Sequence, residues 1–246
     1  MKILVTNDDG IYSPGILALA RCASQFGEVV IAAPDVEQSS MSAAITSTRP
    51  LSFRRTPIAG FEAYRVNGTP SDCVALGMHL SGTVDLVLSG INLGPNVGNG
   101  IWHSGTVAAA RQAVLLGVRG LAFSTPVVDD EPEFDTLEPW VQRTLELLVP
   151  QDQLWLINVN LPPHPSGVCW ARQSVRHYDG HVVPGHDPQG REHYWFTVKP
   201  MKASDEGTDR WALERGLVAI TPLSLDLTDK ALLEAAQQAK EEQQRA

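Results

Sequence analysis

The sequence lacks lysine over most of its length, because none stands between Lys2 and Lys199. This absence excludes a P-loop, which needs a lysine after its glycines, and it excludes a lysine Schiff base within that stretch. A phosphate bound there would have to meet a metal ion, backbone N–H groups, hydroxyls, asparagine amides or one of a few arginines.

Cysteines and long apolar runs are also scarce. The three cysteines, Cys22, Cys73 and Cys169, are widely spaced and form no CxxC pair, which disfavours a disulfide framework or a thiolate zinc site. We therefore expect buried free thiols. No run approaches the roughly 18 apolar residues of a membrane span. No signal-peptide pattern precedes the first expected strand, so we expect a cytoplasmic protein.

The composition is that of an ordinary globular protein. With 246 residues and 43% hydrophobic content, the chain can form one large core, or one core with an extension. The formal net charge of −9 disfavours a nucleic-acid duplex or an anionic membrane as a partner for the whole surface. An anionic small substrate would need local positive charge.

Short β-branched runs alternate with helical patterns in the first two thirds of the chain. The runs predict strands over residues 2–6, 28–33, 63–66, 84–91, 121–125 and 154–159. Helical spacing predicts helices over 15–26, 71–80, 106–116 and 138–148, with Ser71 and Asp72 at the start of the second. Nearly continuous apolar strands that alternate with helices indicate an α/β, doubly wound fold with a mostly parallel sheet.

The pattern changes after about residue 162. Histidine, proline, glycine and aromatic residues there favour an extended β-hairpin, which we expect to pack on another subunit because an isolated two-stranded ribbon is marginal in water. A strand over 217–223 and an exposed helix over 228–246, capped by Thr228 and Asp229, follow. We thus expect a core over 1–165, a hairpin region with a returning strand over 166–225, and a C-terminal helix over 226–246.

Two adjacent carboxylates, Asp8 and Asp9, open the loop after the first strand, where an open α/β sheet places its ligands. Adjacent anions repel each other unless water, hydrogen bonds or a cation compensates them, and Gly10 permits the turn that would let both bind one ion. Carboxylate oxygens favour magnesium, manganese or calcium over zinc. Taken alone, the pair is also explained by capping of the helix that begins near Ser13.

Three further polar segments follow expected strand ends. Ser39 lies in a loop after the second strand, where its hydroxyl would suit an oxygen site, although alone this is only a polar loop. Residues 89–100 are rich in glycine and asparagine but do not form GxGxxG, because His103 stands where a glycine is needed.

An alanine-rich helix follows Ser104, Gly105 and Thr106. A helix start of this kind can bind an anion, although plain capping of the helix by Ser104 or Thr106 explains the same residues. No GxSxG motif supports a serine hydrolase. Together the four segments predict a metal bound to protein oxygens with one face open to a phosphate.

Several of these motifs resemble the survival protein SurE family in their order and spacing. They are residues 2–10, Ala33-Pro34 with Gln38-Ser39, residues 67–74, 89–92 and 103–107, and, further on, Thr208-Asp209 and residues 221–223. The resemblance implies a Rossmann-like three-layer core and a swapped C-terminal β-hairpin that gives dimers or tetramers. It also implies a metal-dependent 5'-nucleotidase that hydrolyses nucleoside monophosphates, with 3'-nucleotides and short polyphosphate as further substrates.

The resemblance also assigns roles by position. Its metal ligands match Asp8, Asp9, Ser39 and Asn92, which would hold one divalent ion per subunit, magnesium or manganese before calcium. Its phosphate-contacting region matches Asn96 and the turn formed by Ser104, Gly105 and Thr106, and we expect Asp8, Asp9 and Asn96 to be catalytic. This chain departs from the family at Gln112-Ala113, where a Glu-Gly pair is common, so a role for that glutamate is in doubt.

The expected mechanism is attack on phosphorus by a metal-activated water. An aspartyl-phosphate intermediate is an alternative, but the DxD spacing of such enzymes is missing from Asn7-Asp8-Asp9. A nucleotide-sensing protein without turnover is the non-enzymatic alternative. The sequence leaves base preference, 5' against 3' selectivity, and the choice between dimer and tetramer open.

Overall fold

The computed structural model describes residues 1–127, 133–175, 180–198 and 204–245, and contains a nine-stranded, mostly parallel sheet. The order of strands in this sheet is β3-β4-β2-β1-β5-β6-β7-β11-β8, and β9 and β10 pair as a separate hairpin. The strands are β1 (Lys2–Thr6), β2 (Glu28–Pro34), β3 (Phe53–Arg55), β4 (Glu62–Val66), β5 (Leu86–Leu93), β6 (Arg119–Thr125), β7 (Leu156–Asn160), β8 (Gly167–Trp170), β9 (Gly180–His186), β10 (Glu192–Val198) and β11 (Leu217–Pro222).

Helices cover both faces of the sheet. They are α1 (Pro14–Ala23), α2 (Pro70–Ser81), α3 (Gly105–Leu115), α4 (Phe134–Leu148), α5 (Asp209–Glu214) and α6 (Lys230–Arg245), with a short 3₁₀ helix over Gly98–Trp102. Side chains alternate between faces along a strand. Ile3 and Val5 of β1 accordingly pack in the cluster that includes α1 and α4, whereas Leu4 packs in the cluster that includes α2 and α3.

Helix α1 approaches the sheet unusually closely at Gly15. A Cβ atom on this residue would stand 2.1 Å from the carbonyl oxygen of Ile91 in β5, so only glycine fits. This contact fixes the start of α1 against the end of β5, and thereby fixes the loop between β1 and α1. Burial of each large aliphatic side chain in the surrounding core contributes about 1.5–3 kcal/mol.

The predicted α/β class with a mostly parallel sheet is confirmed, and each expected strand and helix of the core has a counterpart. The second helix starts earlier than expected, because Thr69 is its N-cap and accepts a hydrogen bond from Asp72 N, while the Asp72 carboxylate accepts from Thr69 N. This capping box replaces the expected start at Ser71.

The sequence pattern missed the 3₁₀ helix over Gly98–Trp102 and three further short elements. β3 is three exposed residues that pair antiparallel with β4 at the sheet edge, so it carries no apolar alternation. β8 and α5 are four and six residues long, below the length at which periodicity is readable. β8 pairs with β11, which joins the main sheet by antiparallel pairing with β7. The division of the chain at residues 165 and 225 stays a prediction.

The expected hairpin is present as β9 and β10, which pair antiparallel from Gly180 to Val198. The tail forms α6, capped by the Asp229 carboxylate, which accepts a hydrogen bond from Leu232 N. Lys199 and Ala246 lie outside the described residues. In the part of the chain that is described, no helix is long and apolar enough to cross a membrane.

All three cysteines are free thiols. Cys22 and Cys73 are buried as expected, and burial raises the pKa of the Cys22 thiol to about 12 and that of Cys73 well above its ordinary value. Cys169 is only half-buried, which corrects the expectation for this residue, because its short strand β8 lies at the edge of the sheet.

Candidate active site

The polar segments meet where the order of strands reverses. β1 pairs in parallel with β2 on one side and with β5 on the other, so the chain moves outward from β1 in both directions. In open α/β sheets, ligands bind at the carboxyl edge of such a switch point. Asp8 and Asp9 follow β1 directly, and Asn92 belongs to the end of β5.

Asp8 is held against the start of α3. Its side chain is almost fully buried, at 4% exposure, and Thr106 Oγ1 donates a hydrogen bond of 2.6 Å to its Oδ1. A Cβ atom on Gly105 would lie 2.9 Å from both Cβ and Oδ2 of Asp8, so the glycine permits this approach. The second loop is tied to the same residue, since Gln38 N donates to Asp8 O at 2.7 Å.

Asp9 faces a different space. Leu93 N donates to Asp9 Oδ2 at 3.2 Å, which joins the first loop to the end of β5. Asp9 and Ser39 line one open cleft of about 490 Å³, together with Tyr12, Asp35 and Glu37. The two adjacent carboxylates therefore reach the helix start and the cleft respectively.

Neither aspartate caps α1, so the capping alternative is wrong. The N-cap of α1 is Ser13, whose side chain makes no capping hydrogen bond. The turn is shaped instead by Asn7, whose Nδ2 donates to Gly10 O at 2.9 Å and to Ser13 Oγ at 2.7 Å. This arrangement leaves both carboxylates for the site.

The two carboxylates are electrostatically unfavourable in their ionised forms. Burial raises the pKa of Asp8, and the hydrogen bond from Thr106 only partly opposes that effect. Burial and the neighbouring charge of Asp8 raise the pKa of Asp9 to about 7. The Glu37 carboxylate adds to both shifts. A cation between the carboxylates would reverse these effects.

The other proposed metal ligands supply neutral oxygens. Asn92 Nδ2 donates to Gly94 O at 2.6 Å, which leaves Oδ1 as the atom able to coordinate. Ser39 Oγ donates to Glu37 Oε1 at 2.6 Å and keeps its lone pairs. Among the described residues, no group of three or more His, Cys, Asp or Glu side chains is placed to hold a metal ion. The donor set of two carboxylates, an amide and a hydroxyl nevertheless suits a hard divalent cation.

Asn96 lies at the centre of a buried hydrogen-bond network. Its Nδ2 donates to Ser124 Oγ at 2.8 Å and, at the long distance of 3.4 Å, to Thr106 Oγ1. The Thr106 hydroxyl in turn donates a hydrogen bond to Asp8, so the network links Asn96 to the Asp8 carboxylate. The long bond to Thr106 marks the N–H group that a bound anion would take up most readily.

The start of α3 shows the expected capping by Ser104, whereas the anion site expected there stays a prediction. Ser104 is the N-cap, and its Oγ accepts a hydrogen bond of 3.0 Å from Val107 N. Ser104 and Thr106 are both buried, at 6% and 0% exposure. The helix start, with its partial positive charge, therefore stands beside Asp8, whose carboxylate also accepts a hydrogen bond from the backbone N–H of Thr106.

Four residues near the site were missed by sequence reasoning: Glu37, Ser124, Asn158 and Asn160. Asn158 and Asn160 each donate to Asn96 O, at 2.7 Å and 3.0 Å. A signal for them existed, because two asparagines two positions apart share one face of an otherwise apolar strand. A buried amide in such a strand requires partners, and the nearest loop supplies them.

A family model described as Survival protein SurE matches residues 3–180 of the chain. The chain is 47% identical over 243 residues to 5'-nucleotidase SurE 1 of Thermus thermophilus, an alignment that covers 96% of each protein. It is 42% identical over 241 residues to 5'-nucleotidase SurE of Deinococcus radiodurans, covering 94% of this chain and 90% of the relative.

The fold is similar to the crystal structure of SurE protein from Aquifex aeolicus, with a TM-score of 0.83 and 35% sequence identity. That similarity covers 98% of this chain and 100% of the other. The likeness therefore extends beyond the segment matched by the family model to the hairpin and the C-terminal elements.

Proposed function

Because the chain belongs to the survival protein SurE family, we propose that it is a metal-dependent 5'-nucleotidase that hydrolyses nucleoside monophosphates. The observation that carries this proposal is the pair of adjacent carboxylates beside the N-terminus of α3, of which Asp8 is buried and Asp9 is half-buried. One side of the site offers anionic oxygens for a cation, and the other offers N–H groups for an anion. We include 3'-nucleotides and short polyphosphate as further substrates.

Asp8, Asp9, Ser39 and Asn92 would hold one divalent ion per subunit, magnesium or manganese in preference to calcium. When bound, such an ion polarises a phosphoryl oxygen and lowers the pKa of a bound water. Asp8 and Asp9 contribute the charge that retains it, and their raised pKa values reflect the cost of ionising the two carboxylates without a counter-ion. No lysine lies between Lys2 and Lys199 to replace that cation.

The chain's own donors would bind the phosphate. The backbone N–H groups of Gly105 and Thr106 belong to the first turn of α3, where the helix dipole stabilises an anion. Without a phosphate, the N–H of Thr106 donates to the Asp8 carboxylate. Ser104 keeps its O–H hydrogen as a donor, since its oxygen is the acceptor for Val107 N. The Nδ2 of Asn96 supplies a further N–H. Charge spreads over the non-bridging oxygens in the transition state, and these donors stabilise it.

Thr106 has a second role in this scheme. Its hydroxyl donates to Asp8 Oδ1 and receives from Asn96 Nδ2, so it fixes the carboxylate and the amide relative to each other. Fixed dipoles cost no reorganisation during the reaction. Thr106 thereby orients Asp8 with both its hydroxyl and its backbone N–H.

Phosphate release from AMP separates the candidate functions. We expect release with Mn²⁺ and none after addition of EDTA. Tight binding of AMP without release, independent of metal, would overturn the proposal in favour of a nucleotide sensor. A phosphorylated aspartate trapped with labelled substrate would replace water attack by an aspartyl-phosphate route, for which the chain lacks the DxD spacing.

We further propose that the hairpin of β9 and β10 joins subunits into a dimer or tetramer. It pairs only with itself in the described sheets, and it exposes Tyr194, Trp195 and Phe196 by 62%, 67% and 64%. Neighbouring exposed aromatic side chains are typical of interaction sites. The cytoplasmic location stays a prediction.

A further inference from the structure

We propose that Asn160, assisted by Asn158, is a positioning residue that aims the side chain of Asn96 at the phosphate. This inference rests on the proposed nucleotidase function. Neither asparagine reaches the substrate region through the contacts it makes; both act on the backbone of Asn96. The two are on β7, which lies inside the sheet between β6 and β11.

Asn160 holds the backbone of Asn96 from both sides. Its Oδ1 accepts from Asn96 N at 2.8 Å, and its Nδ2 donates to Asn96 O at 3.0 Å. The side-chain amide of Asn160 thus bonds both the backbone N–H and the backbone C=O of Asn96, as the backbone of a neighbouring strand would. Asn158 adds a second donor to Asn96 O at 2.7 Å.

This clamp acts on the middle of a segment whose ends are held elsewhere, since Gly94 N donates to Thr125 O and Gly98 N donates to the Asp209 carboxylate. Gly94 and Gly98 flank Asn96 with φ values of +124° and +56°, so glycine stands on either side of it. Glycine loses more conformational freedom on ordering than other residues, and such a loop therefore needs external contacts to take one conformation. The rigid strand supplies them: Asn158 and Asn160 are both 0% exposed.

The clamp then continues to the catalytic side chains. Ser124 of β6 lies in register with Asn160 of β7, and its Oγ accepts from Asn96 Nδ2. With its backbone fixed by Asn160 and its amide fixed by Ser124, Asn96 points its remaining N–H toward Thr106 and hence toward Asp8. The end of the sheet thereby sets the direction of a group expected to meet the transition-state charge.

The consequence is an effect on turnover rather than on substrate affinity. A misplacement of about 1 Å in a group that stabilises the transition state costs about 10²-fold in rate. For Asn160→Ala, we therefore expect kcat on AMP with Mn²⁺ to fall about 10- to 100-fold, with KM changed less than about threefold. Thr144→Val is the matched control, because it removes a buried hydroxyl that bonds Trp140 O in α4, away from the site. Its kcat should equal that of the wild type.

Combining the change with Asn96→Ala distinguishes positioning from a general structural role. If Asn160 acts by aiming the Asn96 side chain, Asn160→Ala adds less than about twofold to the loss already caused by Asn96→Ala. Equal losses in both backgrounds, or a kcat for Asn160→Ala within about twofold of the wild type, would overturn the proposal.

A measurement that does not depend on activity also tests the clamp. Hydrogen–deuterium exchange of the peptide containing Asn96 should speed up at least about tenfold in Asn160→Ala and stay unchanged in Thr144→Val. If Asn160→Ala does not fold, Asn160→Asp, which keeps the acceptor for Asn96 N and loses the donor, takes its place with the same expectations. If the wild type releases no phosphate, the nucleotidase proposal fails, and unchanged exchange at Asn96 would separately overturn the clamp.

Discussion

At the scale of single residues, the main feature of the site is a pair of carboxylates whose ionised forms are unfavourable in the fold. Asp8 and Asp9 are next to each other, and both have raised pKa values because of burial. Hydrogen bonds from Thr106 and Leu93 N stabilise the ionised forms only in part. Such a pair lowers the stability of the folded chain, and this cost is what we expect of the proposed site for a divalent ion.

The first prediction concerns the pH dependence of stability. The pKa of Asp9 is raised from 3.8 to about 7, so the folded protein binds this proton more tightly than the unfolded chain. Without metal, the free energy of unfolding should therefore decrease as the pH rises from about 4 to about 7. Asp9→Asn removes this titration and should show a smaller decrease between pH 5 and pH 8 in urea unfolding with EDTA. Equal slopes for the two proteins would contradict the electrostatic account.

A second prediction at this scale concerns Gly105. Gly105→Ala places a Cβ 2.9 Å from Asp8 Cβ and Oδ2, so Asp8 must move away from the start of α3. We expect kcat for AMP hydrolysis to fall at least about tenfold. Gly100→Ala is the steric control, because its Cβ would meet nothing within 4 Å. A Gly105→Ala enzyme as active as the control would show that the close approach is not required.

At the scale of elements, the sequence predicted what periodicity and loop chemistry encode. β1, β5 and α3 are long, strongly patterned elements, and the polar residues at their ends were correctly expected to meet at one sheet edge. Their assigned roles as metal ligands and phosphate contacts stay predictions. The resemblance to a known family contributed these roles, while the residue pattern contributed the location.

Contacts between distant segments could not be predicted from the sequence. The bonds from Asn158 and Asn160 to Asn96 span 62 and 64 residues, and nothing local in either segment names the other. Elements as short as β3, β8 and α5 exist because a neighbouring strand or helix stabilises them, so their own residues carry little signal. The start of α2 was misplaced for a different reason, because the local capping box formed by Thr69 and Asp72 was not recognised in the sequence.

Helix α5 illustrates such a contact and leads to a third prediction. Asp209 at its start is 0% exposed, and its carboxylate accepts from Gly98 N at 2.8 Å, Ser174 N at 3.0 Å and Arg210 N at 2.7 Å. Asp209→Asn turns one acceptor into a donor that faces N–H groups. The free energy of unfolding should fall by about 1–3 kcal/mol, measured with urea.

The control for this change is Asp152→Asn, since the Asp152 side chain is 99% exposed and lies 3.7 Å from Arg119. Surface ion pairs of this kind contribute little, so stability should not change measurably. If Asp209→Asn were no less stable than Asp152→Asn, α5 would not anchor the glycine-rich segment at Gly98.

At the scale of the whole molecule, the hairpin is poorly suited to a monomer because both of its faces expose aromatic side chains. Trp195 and Phe196 are 67% and 64% exposed on the hairpin, which has no other strand partner in the described sheets. We expect the wild type to sediment as a dimer or tetramer. The double change Trp195→Glu and Phe196→Glu should lower the mass of the assembly in solution, because charged side chains replace the apolar contact between subunits. An unchanged sedimentation coefficient would contradict a role of the hairpin in assembly.

The central claim is that Asp8 and Asp9 retain a divalent cation without which the phosphate is not hydrolysed. The most direct measurement is AMP turnover by Asp8→Asn at saturating Mn²⁺, with circular dichroism to verify that the fold is kept. Asparagine has nearly the same shape but lacks the charge, so kcat should fall by at least about 10²-fold. Turnover near that of the wild type would contradict the account.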